Sequence, residues 1–117
     1  MLHRDGIVIR KIIQEIEIGE EMMAETSLEE FLRDEKLKRA VSMTIINVGE
    51  LIKTITMETR AEYPNVPWKD AAGLRDIAAH RYQTLRMEDV YHSARLDFPA
   101  IKTQLLAILA KEETGFE

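Results

Sequence analysis

The stretch Gly73-Leu74-Arg75-Asp76-Ile77-Ala78-Ala79-His80-Arg81-Tyr82 holds the residue types in this chain that could do chemistry. Two arginines, a carboxylate, an imidazole and a phenol fall within the eight residues 75–82. A histidine near neutral pKa can move the proton of a nucleophilic hydroxyl or of a leaving oxygen. A guanidinium offers phosphate a planar fork and stabilises the charge that builds on it. This set suits phosphodiester cleavage without a metal, because RNA carries its own nucleophile in the 2′-hydroxyl. Geometry imposes a condition. Five residues along an ideal helix turn through about 500°, so Arg75 and His80 diverge by about 140°. They converge on one phosphate if the helix ends near His80, or if a second copy of the chain supplies the facing surface. Asp76 and His80 are four apart and therefore neighbours; the carboxylate can fix the imidazole tautomer and favour its protonated form. Spacing alone is a weak signal, since an Asp–His pair on a helix is more often structural.

The rest of the chain sets limits on that chemistry. Its 117 residues make one domain, 1–117, with enough length for a core. Five glycines and three prolines supply few turns, which points to a few long elements and excludes a sandwich or barrel. The absence of cysteine excludes thiolate nucleophiles and Cys-based zinc sites and fits a reducing, cytoplasmic setting. His3, His80 and His92 lack metal-ligand spacing, so neither a metal nor another cofactor is expected. No apolar run approaches membrane-spanning length, and the N-terminus lacks the apolar stretch of a signal peptide, so neither a membrane nor export is expected. The net charge of −5 argues against holding long nucleic acid by phosphate contacts alone. Charge is uneven, however. Residues 15–35 carry nine acids against Arg33, whereas 66–95 carry five bases against four acids. The acidic run reads as a solvated helix face.

Helical periodicity supplies the elements. Ile9, Ile12, Ile13 and Ile16 form one stripe on a helix from about Arg4 to Met23, with Gly19 a weak point near its end. Ser27-Leu28-Glu29-Glu30 is a capping box opening a short helix, Leu28–Leu32, and Asp34 can cap again. Leu37, Val41, Ile45, Val48, Ile52 and Ile55 predict one helix of about 25 residues, stopped by Tyr63-Pro64. Pro67 starts a fourth helix from Trp68 to about His80; Gly73 inside it suggests close approach of a backbone or substrate, or local bending. The last helix carries Met87, Val90, Ala94, Ile101, Leu105 and Ile108, with Pro99 predicting a kink near Asp97–Phe98 and fraying over Glu112–Glu117. The fold class is therefore all-α, an up-and-down helical bundle of four main helices and one short one. Trp68 reads as a core or interface anchor rather than a base-stacking platform, His3 and His92 as surface residues, and Arg86 equally as an RNA contact or as a partner of Glu88 or Asp89. Met22, Met23 and Met43 are fillers that could also lie at a subunit interface.

The motif and its surroundings resemble the HepT-like toxins of the HEPN superfamily, the ribonuclease halves of two-gene toxin–antitoxin modules. The resemblance rests on R-x4-H-x-Y (Arg75, His80, Tyr82), on Val48-Gly49-Glu50, Pro67-Trp68, Gly73-Leu74-Arg75-Asp76 and Pro99 in that order, and on Arg4-Asp5 ahead of the first stripe. It covers nearly the whole chain. Arg81 departs from the aspartate that many relatives carry, which adds positive charge beside the motif. The resemblance implies an α-helical homodimer whose two motifs meet in a shared cleft, and metal-independent cleavage of RNA. It also implies neutralisation by a cognate minimal nucleotidyltransferase antitoxin that transfers AMP to the motif tyrosine, Tyr82. His80 would then be the general acid/base, Arg75 the phosphate-binding and charge-stabilising group, and Asp76 the residue that orients His80. Glu50 would reach the same cleft or form a surface or interhelical ion pair.

Two other readings compete: a catalytically inactive HEPN module that binds a nucleotide or protein, and a plain structural bundle. Net acidity favours these two, whereas the complete set of Arg75, Asp76, His80 and Tyr82 favours the nuclease.

Overall fold

A computed structural model describes residues 1–73 and 82–114, and every regular element among them is helical. The helices are α1 (His3–Met23), α2 (Leu28–Arg33), α3 (Glu35–Lys53) and α4 (Met57–Glu62). A fifth, α5, is described over 68–73. After a 3-10 turn at Tyr82–Thr84 come α6 (Met87–His92), a π-helical turn (Ser93–Asp97) and α7 (Phe98–Thr114). The last three follow one another without a break and form one rod. The all-α, up-and-down expectation holds. The start of α1 meets the end of α3 through Arg4 and Thr54, and its later turns meet the middle of α3 through Glu15 and Asn47. Likewise Glu20 near the end of α1 pairs with Lys102 near the start of α7, so α1 is antiparallel to both.

The α1 stripe predicted from sequence is the centre of the core. Ile9, Ile12 and Ile16 are wholly buried, and from α3 Val41, Ile45, Val48 and Ile52 meet them. Each such side chain contributes roughly 1.5–3 kcal/mol by leaving water. Leu105, Ile101 and Ile108 of α7 close the third side. As read from the sequence, α1 runs on through Gly19 to Met23. A methyl group at Gly19 would stand 3.1 Å from the γ-methyl of Thr44, so the glycine lets α1 and α3 approach closely.

The capping box at Ser27 forms as expected. Glu30 N–H donates to Ser27 Oγ and Ser27 N–H to Glu30 Oε1, both at 3.1 Å, and the Ser27 N–H, with the Ser27 hydroxyl, holds the Glu30 carboxyl below its ordinary pKa. Asp34 caps α3 by accepting from Leu37 N–H at 3.0 Å. The chain between α1 and α2 is gripped by the rod: Arg95 donates to the carbonyls of Ala24 (2.7 Å) and Thr26 (2.6 Å), and Tyr91 Oη donates to Thr26 O. Ala24 there has φ 41°, in the left-handed region.

Three expectations change. The single helix of about 25 residues is two, α3 and α4, broken at Thr54–Thr56. The cause is Asp5 on α1. Its buried carboxylate accepts from Thr56 N–H (3.2 Å), Thr56 Oγ1 (2.5 Å) and Thr59 Oγ1 (2.6 Å), which fixes the chain outside the helical region at Thr56 and starts α4 there. Ile55 stays buried across the break, so the apolar stripe continues where the backbone does not. Second, the kink foreseen at Pro99 takes the form of the π turn immediately ahead of it. Third, Glu112 is anchored rather than frayed: it accepts from Tyr63 Oη, and α7 continues to Thr114. Residues 115–117 lie outside the described residues.

Candidate functional site

Arg75, Asp76, His80 and Arg81, with the rest of 74–81, lie outside the described residues. Tyr82 opens the 3-10 turn that follows. What the structure describes is the frame at either end of that segment. On the upstream side Trp68 is buried and donates its indole N–H to Tyr63 O at 2.9 Å, as the core-anchor reading expected. Ala71 and Ala72 are buried beside it. The loop 63–67 is in turn tied to α7, where Gln104 donates to Asn65 O at 3.0 Å. On the downstream side Leu85 and Met87 pack on the core and Val90 is buried within it. The eight residues 74–81 therefore join two fixed points.

Gly73 is the last described residue of α5. It is half-buried, and a methyl group built on it meets nothing within 4 Å. A helical glycine costs roughly 1 kcal/mol relative to alanine. Gly19 has a neighbour that explains it; Gly73 has none among the described residues.

Glu50 is exposed on α3 and lines an open groove of about 420 Å³ between α1 and α3, with Lys11, Gln14 and Glu15 on the opposite bank. Asn47 spans the groove by donating to Glu15 Oε1 at 2.9 Å. Of the bases in 66–95, Arg95 is committed to the Ala24 and Thr26 carbonyls, and Arg86 pairs with Glu88 at 3.5 Å, one of the two roles read for it. Lys69 is exposed at the start of α5. His3 and His92 are exposed, and Met23 is core while Met43 is half exposed. No group of acids and histidines among the described residues could hold a metal ion.

Two polar clusters carry no motif that singles them out in the sequence. Burial alone would raise the pKa of Asp5, but the hydrogen bonds from Thr56 and Thr59 outweigh it and hold the carboxyl below its ordinary value. A signal was present, since Asp5, Ile9, Ile12 and Ile16 step by 4, 3 and 4 and put the acid on the buried stripe. Near the same end of the bundle, burial and then the adjacent Glu112 carboxylate push the Tyr63 phenol up, while the same bond draws Glu112 down. No sequence pattern links those two residues.

The described residues form an all-helical frame on either side of the segment that holds Arg75 and His80 in the sequence. Comparison with known proteins identifies the class. The chain belongs to the HepT-like family of the HEPN superfamily, whose model, described as "Ribonuclease HepT-like", matches residues 12–108. It is similar to "Putative RNase TTE0752" of Caldanaerobacter subterraneus subsp. tengcongensis, 31% identical over 105 residues, covering 90% of this chain and 94% of that one. It is also similar to "Putative RNase MJ0125" of Methanocaldococcus jannaschii, 33% identical and covering 69% of this chain and 70% of the other. A "Probable ribonuclease HepT" of Thermococcus cleftensis is 30% identical, covering 86% and 89%. No solved structure matches the chain.

Proposed function

We propose that this protein is a metal-independent endoribonuclease toxin that cleaves RNA with Arg75 and His80. The observation that carries the reading is family membership across 12–108, together with an intact Arg75, Asp76, His80 and Tyr82 inside that range. His80 moves the proton of the 2′-hydroxyl or of the departing 5′-oxygen, Arg75 holds the phosphate, and Asp76 orients the imidazole. Two copies of the chain supply the facing motifs, which answers the divergence of about 140° between Arg75 and His80 on a regular helix. A nucleotidyltransferase antitoxin restrains the activity by moving AMP from ATP to the Tyr82 phenol. The new O–P bond releases pyrophosphate and leaves a bulky anion two residues from His80.

Growth arrest on expression tests this. Wild type without its partner stops growth, whereas His80→Ala and Arg75→Ala do not. Equal toxicity of all three ends the assignment. Intact mass after incubation with the partner and ATP rises by whole AMP increments, and Tyr82→Phe abolishes the rise. The net charge of −5 favours the second reading, a catalytically silent HEPN module that holds a nucleotide or protein. That reading predicts no toxicity from any of the forms.

A further inference from the structure

The rod made by the π turn and α7 shows solvent an uncharged stripe: Leu96, Ala100, Thr103, Leu106, Ala107 and Ala110, all exposed. Helical spacing keeps them on one side of the rod over about 21 Å. Leu96 is 63% exposed and Leu106 48%. The Thr103 hydroxyl donates to Pro99 O at 3.1 Å, so its hydrogen bond is made within its own helix and its methyl group completes the stripe. The exposed sides of the other long helices are charged, with Arg10, Glu17 and Glu21 on α1 and Glu35, Lys36 and Arg39 on α3. A helix that is apolar on its core side and on its outer side is one that packs on both. A groove between α5 and α7, lined by Asp70, Asp97 and Gln104 among others, runs beside the stripe.

We infer that the stripe packs antiparallel against the same stripe of a second copy of this chain, about a two-fold axis that passes Thr103. Residues equally far from Thr103 in the two directions then meet. Leu96 faces Ala110 of the partner subunit, and Ala100 faces Leu106 of the partner subunit. Each leucine is set against an alanine, the alternation of large and small that lets two helices interdigitate. A parallel pair would set leucine on leucine and alanine on alanine. Charge makes the same choice. Asp97 and Lys111 border the stripe on one flank, Asp97 beside Ala100 and Gln104, and Lys111 beside Gln104 and Ala107. They stand six residues before and eight after Thr103. The antiparallel pair therefore brings Asp97 within about 3 Å, along the axis, of Lys111 of the partner subunit, twice over. A parallel pair would oppose like charges. A helix pair of this length is at the lower bound of specific interfaces, so the association is weak and concentration-dependent. The inference uses no residue of the Arg75–His80 segment and stands apart from the nuclease reading.

The chain has no cysteine, so a single introduced thiol reports its own position. Thr103→Cys is expected to link to its counterpart through a short bismaleimide, under conditions where Lys36→Cys on the charged side of α3 does not. In light scattering the mass of the wild type doubles with rising concentration, and Leu106→Glu abolishes that step. Asp97→Lys weakens it about tenfold by removing both symmetric pairs, and Asp97→Lys combined with Lys111→Asp restores it. All these positions are exposed, and circular dichroism checks that each variant keeps its helicity. No doubling, a doubling that survives Leu106→Glu, a charge swap that restores nothing, or no link at Thr103→Cys overturns the inference. RNA cleavage by the same samples is measured separately. A protein that associates through the stripe but cuts nothing refutes the nuclease reading alone; one that cuts but forms no link at Thr103→Cys refutes the stripe alone.

Discussion

The α1–α3–α4 half of the molecule and the α5–α7 flank treat polar groups in opposite ways. In the first, Asp5 is buried, and its carboxylate accepts from the cap and first turn of α4 at Thr56 and Thr59. Gly19 is there because Thr44 sits against it. In the second, Asp70 and Asp97 face an open groove, and Gly73 has none of the described residues within 4 Å of where a side chain would start. The first half uses Asp5 and Gly19 for packing. On the second flank Asp70, Asp97 and Gly73 have no packing partner among the described residues, although Arg95, Tyr91 and Gln104 there hold the loops in place. The difference is a physical basis for looking for intermolecular contacts on the α5–α7 side.

The sharpest way to break this contrast is Asp5→Ala. It leaves the Thr56 amide and the Thr59 hydroxyl without their acceptor, and we expect a loss of about 3 kcal/mol in urea unfolding, the scale of hydrogen bonds to a buried charge. A loss under about 1 kcal/mol would make the cluster incidental. The pH dependence follows from the same group. Its folded pKa lies below its unfolded value, so its contribution is complete above the ordinary carboxylate range and disappears as pH falls through the depressed folded pKa. Asp5→Asn should flatten the acid limb of a stability–pH curve, and an unchanged limb would contradict the assignment.

The two glycines give the next effects, with opposite signs. Gly19→Ala should destabilise by roughly 1 kcal/mol despite better helix propensity, because the new methyl meets Thr44 at 3.1 Å. Thr44→Ser, which removes that methyl, should recover much of the loss in the double variant. Gly73→Ala should instead raise the thermal midpoint, with a gain of up to about 1 kcal/mol. A destabilised Gly73→Ala would erase the contrast between the two halves. The smallest effect is expected at Ala24, where glycine relieves a positive φ and stabilises by a few tenths to about 1 kcal/mol.

Much of the architecture could be read from residue spacing. The stripes of α1, α3 and α7, both caps at Ser27 and Asp34, and a distortion just ahead of Pro99 all follow from it. The break at Thr54–Thr56 could not, because Ile52 and Ile55 keep the apolar period while a carboxylate 51 residues away redirects the backbone hydrogen bonds. Periodicity reports which face is buried, not whether the ladder is continuous. The family resemblance was legible from residue types and order, and the family match over 12–108 bears it out. The groove was not legible, since Asp70, Asp97 and Gln104 are brought together only by how α5 docks against α7.

Cleavage of RNA by the purified protein in excess EDTA tests the central claim most directly. Wild type is predicted to cut under those conditions and to leave a 2′,3′-cyclic phosphate end, the product of attack by the 2′-hydroxyl, while His80→Ala at equal concentration does not. A requirement for divalent metal, or undiminished cleavage by His80→Ala, would contradict that claim.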